Sequence, residues 1–335
     1  MLVIFNHTNE RGFYHYIYDD LGSCIWIRNL LFSIACKSAV PIFFMISGSM
    51  LLGKEESMKK TVLRIPKILA ALFIFSIAYF YTDAVLAGNH FVLKDTLQVI
   101  VQKNYWHLWY LYAYISFIIA LPFFRKLVIS LDRKSSLYMF AVAAISMGVV
   151  PIIEYFVTSG INSNLKQRWL TVNIFIYPVI GYVIDNKVNV YKIKKSSFLL
   201  LWMVNLISFF ISAVCEYHFL LREPGNKKEL FLTNFCLVNA VSIYSTIKYI
   251  FNSRKINARI YHLLVEIGKC TFGIYLLHIW FLWKIPFLYD LWIKIEHSGV
   301  FGSYAGVFVS CILTFMITGV ITYILRRMPV IKKLF

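Results

Sequence analysis

Nine apolar runs, each near the length that crosses a lipid bilayer, constrain this chain more than any other feature. A bilayer's hydrocarbon core is about 30 Å thick, so a spanning helix needs about 20 apolar residues. The run near 169–185 is short, and Lys284 and Pro286 predict a kinked or interfacial end for the eighth run. The runs cover residues 30–52, 68–87, 107–128, 137–157, 169–185, 198–219, 230–250, 268–289 and 301–325. The sequence therefore predicts one all-α polytopic membrane domain over residues 1–335.

Composition excludes the soluble and fibrous classes of protein. Only 15% of the residues are charged and 59% are hydrophobic, whereas soluble domains carry about 25% charged residues. The six cysteines include no CxxC pair and no metal-ligand spacing, so no metal site is expected. A disulfide between Cys24 and Cys215 on the outer side stays open.

The loops alternate in positive charge. Five alternate segments hold 22 of the 34 Lys and Arg residues, and the intervening segments hold 11. The positive-inside rule places the rich segments, including the C-terminus, in the cytoplasm. The net charge of +18 is thus a topology signal, and the expected partner is the bilayer of the plasma membrane, with no nucleic acid. The rich segments are 53–67, 125–136, 185–197, 248–269 and 326–335.

The N-terminal stub, residues 1–5, is apolar but too short to span. It lacks the features of a signal peptide. If both ends are cytoplasmic, the number of helices is even, and the stub is the outer end of one more helix. We therefore expect nine full transmembrane helices plus a truncated first helix.

Ionisable residues inside apolar runs point to a functional site, because each costs at least about 2.5 kcal/mol to insert. Lys37 and His278 are such residues. Asp83 and Glu154, near outer helix ends, are compatible with snorkelling or with a buried pair.

Histidine is concentrated on one side of the predicted topology. Six of the eight histidines fall on the outer side, and His7 and His107 lie there at helix ends. Neutral imidazole is the usual proton acceptor near pH 7. The residues alone predict a polar, histidine-containing site toward the outer half of the membrane.

Several segments, in order along the chain, resemble the signatures of acyltransferase family 3. Residues 40–48 (VPIFFMISG) resemble its "VPxFFxISG" motif, and residues 106–112 (WHLWYLY), with the later Leu121-Pro122, resemble its "hLWFLY…P" segment. Three further stretches match its basic loop and two later motifs. They are 59–64 (KKTVLR), 177–182 (YPVIGY) and 271–278 (TFGIYLLH).

The resemblance implies a membrane enzyme of ten helices that moves an acyl group, with acetyl expected, from acyl-CoA to a hydroxyl of a cell-surface or lipid-linked carbohydrate. Acyl-CoA is a co-substrate, and no cofactor is expected. The family's first helix carries an Arg ten residues before a catalytic His. His7 matches that His, and the Arg would fall before Met1, so we expect either an upstream start or a truncated gene product.

Acyl transfer needs a base for the acceptor proton and a donor for the oxyanion. His7 is the predicted base. His107 and Trp106 are the predicted donors, although Trp106 is also typical of an interface anchor. The predicted acyl-CoA contacts are Lys37, Ser47, Gly48, Lys59, Lys60 and Arg64.

Some of these residues also fit a purely structural role. The small residues Ser47 and Gly48 are typical of close helix packing. The positive charge of the loop 53–67 is also explained by the orientation of the chain in the membrane alone. A transporter or flippase for a polysaccharide precursor, or an inactive truncated remnant of the acyltransferase, would show a similar hydropathy profile.

Overall fold

The computed structural model describes residues 1–89, 105–157, 173–188, 193–253, 257–297 and 303–329. Within these ranges the chain is helical and forms no strand. The helices are α1 (Leu2–Asn6), α2 (Cys24–Lys37), α3 (Ala39–Leu51), α4 (Met58–Val62), α5 (Arg64–Leu86), α6 (Trp109–Ser130), α7 (Arg133–Ala144), α8 (Val150–Phe156), α9 (Asn173–Asn186), α10 (Lys195–Arg222), α11 (Cys236–Ser253), α12 (Ala258–Ile279), α13 (Pro286–His297) and α14 (Ser303–Leu325).

Seven helical stretches of the described residues are long and apolar enough to cross a membrane, and two apolar helices are shorter. All nine overlap the runs identified in the sequence, which confirms an all-helical, multi-pass membrane protein. The count of ten helices and the cytoplasmic ends stay predictions. The long stretches are Cys24–Leu51, Met58–Leu86, Trp106–Ser130, Arg133–Phe156, Lys195–Arg222, Ala258–Lys284 and Tyr304–Leu325, and the shorter ones are Ile174–Asn186 and Cys236–Phe251.

Ion pairs join loops that the charge alternation assigns to the same side. Arg125, from the 125–136 segment, pairs with Glu56, from the 53–67 segment, at 3.0 Å. Lys248 pairs with Asp185 and joins two further basic segments. We call the side that carries these residues the basic face.

Three polar pairs join the segments 9–29, 220–229 and 284–299 at the other end of the helices, which we call the opposite face. They are Glu10 with Lys227, Tyr14 with Glu229, and Arg11 with Glu296. The loops within the described residues thus fall into the two groups that the charge count predicts, and which group is cytoplasmic rests on the positive-inside rule. The segments 88–105 and 158–168 lie mostly or wholly outside the described residues.

Helices α3 and α9 lie so close that only glycine fits at two crossing points. A Cβ added to Gly48 would lie 2.0 Å from the Pro178 carbonyl oxygen, and one added to Gly181 would lie 2.1 Å from the Met45 carbonyl oxygen. Small residues allow helix backbones to approach in this way inside membranes. This contact fixes α3 against the centre of the molecule.

A helix break separates α2 from α3 directly after Lys37. Pro41 lacks an N–H, so the Lys37 carbonyl receives no i+4 backbone hydrogen bond and the helix is interrupted at Ser38. The single predicted run of 30–52 is therefore two helices, and Lys37 lies at the end of the first.

The end of the eighth run is also broken, as Lys284 and Pro286 predict. After α12 the chain forms a π-helical turn over Trp280–Lys284. Ile285 then adopts an extended conformation, which residues before proline favour, and α13 begins at Pro286. π-Turns are frequent at functional sites.

Candidate active site

Two cavities adjoin in the centre of the helices. The larger has a volume of about 1050 Å³ and the smaller about 390 Å³. Val3, Val40, Tyr110 and Tyr275 line both. The cavities therefore meet where α1, α3, α6 and α12 come together.

His7 and His278 form a hydrogen-bonded pair next to this junction. The Nδ1 atom of His7 lies 2.6 Å from the Nε2 atom of His278, and the rings are stacked with centroids 4.9 Å apart. Val3 lies one helical turn before His7, and Tyr275 one turn before His278. The imidazole pair is thus one turn away from the place where the cavities meet.

The contacts determine which nitrogen of each ring carries the proton. The Nδ1 atom of His278 lies 2.6 Å from the Tyr275 carbonyl oxygen, and a carbonyl oxygen can only accept. In the neutral state His278 therefore carries its proton on Nδ1 and accepts at Nε2. His7 must then donate from Nδ1, which leaves the lone pair of its Nε2 free toward the larger cavity, which His7 lines.

Two tryptophans hold His7 in place. The indole Nε1 of Trp283, in the π-turn, donates to the His7 carbonyl oxygen at 2.7 Å. Trp106 packs edge-on against the His7 ring, with centroids 4.8 Å apart. Trp106 is 54% exposed and also lines the larger cavity, so it combines contact with His7 and access to a ligand.

The ring of His107 also lies near His278, with centroids 6.5 Å apart. Its ring is buried edge-on against Tyr79, at 4.4 Å between centroids, and its backbone carbonyl accepts from the Tyr275 hydroxyl at 2.6 Å. Its two ring nitrogens have no hydrogen-bond partner among the described residues. His107 lines the larger cavity, although both of its ring nitrogens are buried.

Lys37 lies in the larger cavity and pairs with Glu229, from the loop before α11. The Tyr14 hydroxyl donates to the same carboxylate at 2.6 Å. Burial raises the pKa of Tyr14, which keeps its hydroxyl protonated and able to donate. The three side chains make a polar wall that we call the Lys37–Glu229–Tyr14 cluster.

The smaller cavity extends toward the basic face, where Arg64 and Lys67 line it together with Ser47. Glu56 holds Arg64 at 2.8 Å. The hydrogen bond from Arg125 lowers the pKa of Glu56, so the carboxylate stays charged. The rest of the wall is mostly apolar, and it includes Phe43, Ile46 and Phe272.

The structure places the predicted site residues in distinct environments. His7, His107 and Trp106 come together at the larger cavity. Lys37 lies there as well, away from the predicted donor-side residues Ser47 and Arg64. Gly48 makes the helix contact described above, and neither Lys59 nor Lys60 lines either cavity among the residues described. The acyl-CoA contacts assigned to Gly48, Lys59 and Lys60 stay predictions.

The contacts of Asp83 and of the cysteines answer two questions that the sequence leaves open. Lys284 pairs with Asp83 at 2.5 Å, and the two side chains are 30% and 32% exposed, so Asp83 is paired but the pair is not buried. All six cysteines are free, and Cys24 and Cys215 form no disulfide. Among the described residues, no group of three or more His, Cys, Asp or Glu side chains could hold a metal ion.

Sequence reasoning did not assign a role to His278 or Glu229. For His278 the signal was present, because an ionisable residue in an apolar run is a functional candidate by default. Glu229 carries no such signal, since it lies in a loop and only the folded chain brings it to Lys37.

The fold and this site define a multi-pass membrane protein with an imidazole pair beside two adjoining cavities. A family model described as an acyltransferase domain matches residues 1–325. The chain therefore belongs to acyltransferase family 3, which confirms the resemblance of its motifs. Neither the curated proteins nor the solved structures give a match to this chain.

Proposed function

We propose that this protein transfers an acyl group, acetyl in the simplest case, from acyl-CoA in the smaller cavity to a carbohydrate hydroxyl in the larger cavity. The acceptor would be a cell-surface or lipid-linked glycan at the plasma membrane. The observation that carries the proposal is the free Nε2 of His7, placed beside the junction of the two cavities. Family membership supplies the reaction class.

His7 would act as the general base. Its Nε2 takes the proton of the acceptor hydroxyl while the hydroxyl oxygen attacks the thioester carbonyl. The tetrahedral intermediate collapses with cleavage of the C–S bond, and His7 returns the proton to the sulfur, which leaves as the CoA thiol. His278 stabilises the imidazolium that forms in between, because its Nε2 accepts from His7 Nδ1.

The oxyanion of the intermediate needs a donor near the same point. His107 fits this role, because its buried ring nitrogens have no partner among the described residues and a neutral imidazole carries one N–H. Trp106, which contacts His7 edge-on, is a second donor through its indole N–H.

The smaller cavity suits the donor. Its apolar wall is compatible with the pantetheine chain of acyl-CoA, and Arg64 and Lys67 at its basic end can bond CoA phosphates. CoA is made in the cytoplasm, and the positive-inside rule places the basic face there. Both arguments point to the same side of the membrane.

The larger cavity suits a carbohydrate acceptor. A pyranose ring has an apolar C–H face and a rim of hydroxyls, so it packs on aromatic rings and bonds polar groups at its edge. Trp106, Trp109 and Tyr155 offer the rings. The Lys37–Glu229–Tyr14 cluster offers both donors and acceptors. We therefore place Lys37 on the acceptor side of the reaction.

Thiol release tests the proposal. The protein in lipid nanodiscs is supplied with acetyl-CoA, and free CoA thiol is measured with and without a glycan extract from the membranes of the producing cells. We expect saturable release that increases with the extract, together with radiolabelled acetate in the glycan. Glycan movement across proteoliposomes with no acetyl-CoA consumption would instead identify a transporter.

A further inference from the structure

We propose that Trp283, fixed by Arg11 and Glu296, is a positioning residue that aims the His7 ring. The three residues lie on the opposite face, outside the lining of either cavity as described. The consequence for turnover rests on the proposed function, whereas the consequence for the geometry of His7 does not.

Trp283 forms a hydrogen bond to the backbone of His7. Helix α1 ends at Asn6, and the carbonyls of a last helical turn need donors from outside the helix. The Trp283 indole N–H supplies one to the His7 carbonyl at 2.7 Å. A fixed carbonyl holds the peptide plane after His7 and so limits the directions that the Cα–Cβ bond of His7 can take.

Trp283 is itself held in place by Arg11, which pairs with Glu296. The Arg11 guanidinium lies over the Trp283 ring at 4.3 Å from its centroid. It also donates to Glu296 at 3.0 Å and to the Leu282 carbonyl at 3.2 Å. Both side chains of the ion pair are almost fully buried. A planar guanidinium with three fixed contacts holds the indole in a single orientation.

One short stretch of chain, from His278 to Trp283, contacts both the ring and the backbone of His7. His278 accepts from the His7 ring, and Trp283, five residues later, bonds its backbone. His278 lies in the last turn of α12, and Trp283 lies in the π-turn over Trp280–Lys284 that follows it. The ring and the backbone of His7 therefore keep one relative position, which leaves Nε2 facing the larger cavity.

Trp283→Phe is the test variant, because phenylalanine keeps a ring under Arg11 and removes the N–H. We expect kcat for CoA release to fall about tenfold or more, since small misplacements of reacting groups are costly. The KM for acetyl-CoA should change by less than about twofold, because Trp283 touches no donor. Trp292→Phe is the matched control: Trp292 is a buried tryptophan that likewise donates to a backbone carbonyl, that of Phe281 in the same turn, at 2.8 Å.

Nitrogen NMR of ¹⁵N-histidine-labelled protein gives a readout independent of activity. In the wild type we expect His7 as the Nδ1–H tautomer, assigned by its absence from the His7→Ala spectrum. Trp283→Phe should shift His7 toward a mixture of tautomers, and Trp292→Phe should not. If Trp283→Phe fails to fold, Arg11→Lys takes its place as the test variant. It keeps the charge opposite Glu296 but loses the planar stack on Trp283, and it should shift the His7 tautomer in the same direction by a smaller amount.

The outcomes separate this proposal from the proposed function. An unchanged His7 tautomer in both Trp283→Phe and Arg11→Lys overturns the positioning role, and so does a fall in kcat without the tautomer shift. A wild type that releases no CoA contradicts the acyltransferase proposal alone, because the NMR comparison still decides the role of Trp283.

Discussion

At the scale of single residues, the proposed chemistry depends on His7, whose neighbours set which of its ring nitrogens is free. His7→Ala should keep normal membrane abundance and lose about 100-fold or more in acyl transfer, which is typical for removal of a general base. Turnover per folded molecule, measured by thiol release and size-exclusion chromatography, checks this. His218→Ala is the control, because His218 is an exposed histidine of the same face outside both cavities.

An interface anchor would behave in the opposite way. Two results would contradict the assignment of His7 as the base. One is a lower abundance of His7→Ala with near-normal turnover per folded molecule. The other is a turnover that falls by less than about fivefold.

His278 should act only through His7. We expect His278→Ala to lower kcat by about 10- to 100-fold, because it removes the acceptor that fixes the His7 tautomer and stabilises the imidazolium. The double variant with His7→Ala should be no slower than His7→Ala alone, since residues that act as a unit are not additive. Multiplying losses would show that His278 works independently.

The sequence predicts individual site residues but not which of them contact one another. The type and side of His7 and His107 are local properties, so both were predicted as site residues, and the structure brings their rings together around His278. The contact between His7 and His278 joins positions 271 residues apart. No pattern within a single helix reports such a distance.

At the scale of helices, the α3–α9 contact is the most sensitive to a change in volume. Gly48→Ala should reduce the yield of folded protein and lower its melting temperature, because the new Cβ would overlap the Pro178 carbonyl. Overpacking of this kind costs about 1–3 kcal/mol or more.

Gly268→Ala is the control for that measurement. Gly268 also lies in a helix, α12, but a Cβ there meets nothing within 4 Å. We expect a melting temperature that is unchanged or slightly higher, since alanine favours helices. Equal behaviour of the two variants would show that α3 and α9 do not pack as described.

The helix breaks were only partly visible in the sequence. Pro286 predicts the kink after the eighth run because proline constrains the residue before it. The π-turn over Trp280–Lys284 has no comparable signal. A contact from another helix lies just before it: the Tyr79 hydroxyl donates to the Leu276 carbonyl oxygen at 2.9 Å.

At the scale of the whole molecule, the two faces make a prediction about topology. Cys24 is exposed and lies on the opposite face, whereas the other five cysteines are buried. An impermeant maleimide should therefore label wild-type protein in intact cells and not label Cys24→Ser. In that background Ser57→Cys, on the basic face, should react only after permeabilisation. Labelling of Ser57→Cys in intact cells would reverse the orientation.

The division between two cavities predicts separate effects on the two substrates. Arg64→Ala should raise the KM for acyl-CoA about tenfold and leave the acceptor KM unchanged, because a charge-assisted phosphate contact contributes about 1.5–3 kcal/mol. Steady-state kinetics with each substrate varied in turn checks this. Lys126→Ala, an exposed cation of the same face outside both cavities, is the control. An unchanged acyl-CoA KM would remove Arg64 from the donor site.

The sequence by itself determined that this chain is a multi-pass helical membrane protein, where its apolar helices lie, which loops share a face, and its family. Those properties follow from run length, charge count and motif order, which are read along the chain. Only the tertiary structure decided that Lys37 meets Glu229, that His7 donates to His278, and that two cavities adjoin beside them. These features depend on which helices touch, and that is set by close contacts such as Gly48 against Pro178, where packing between distant segments leaves a single arrangement.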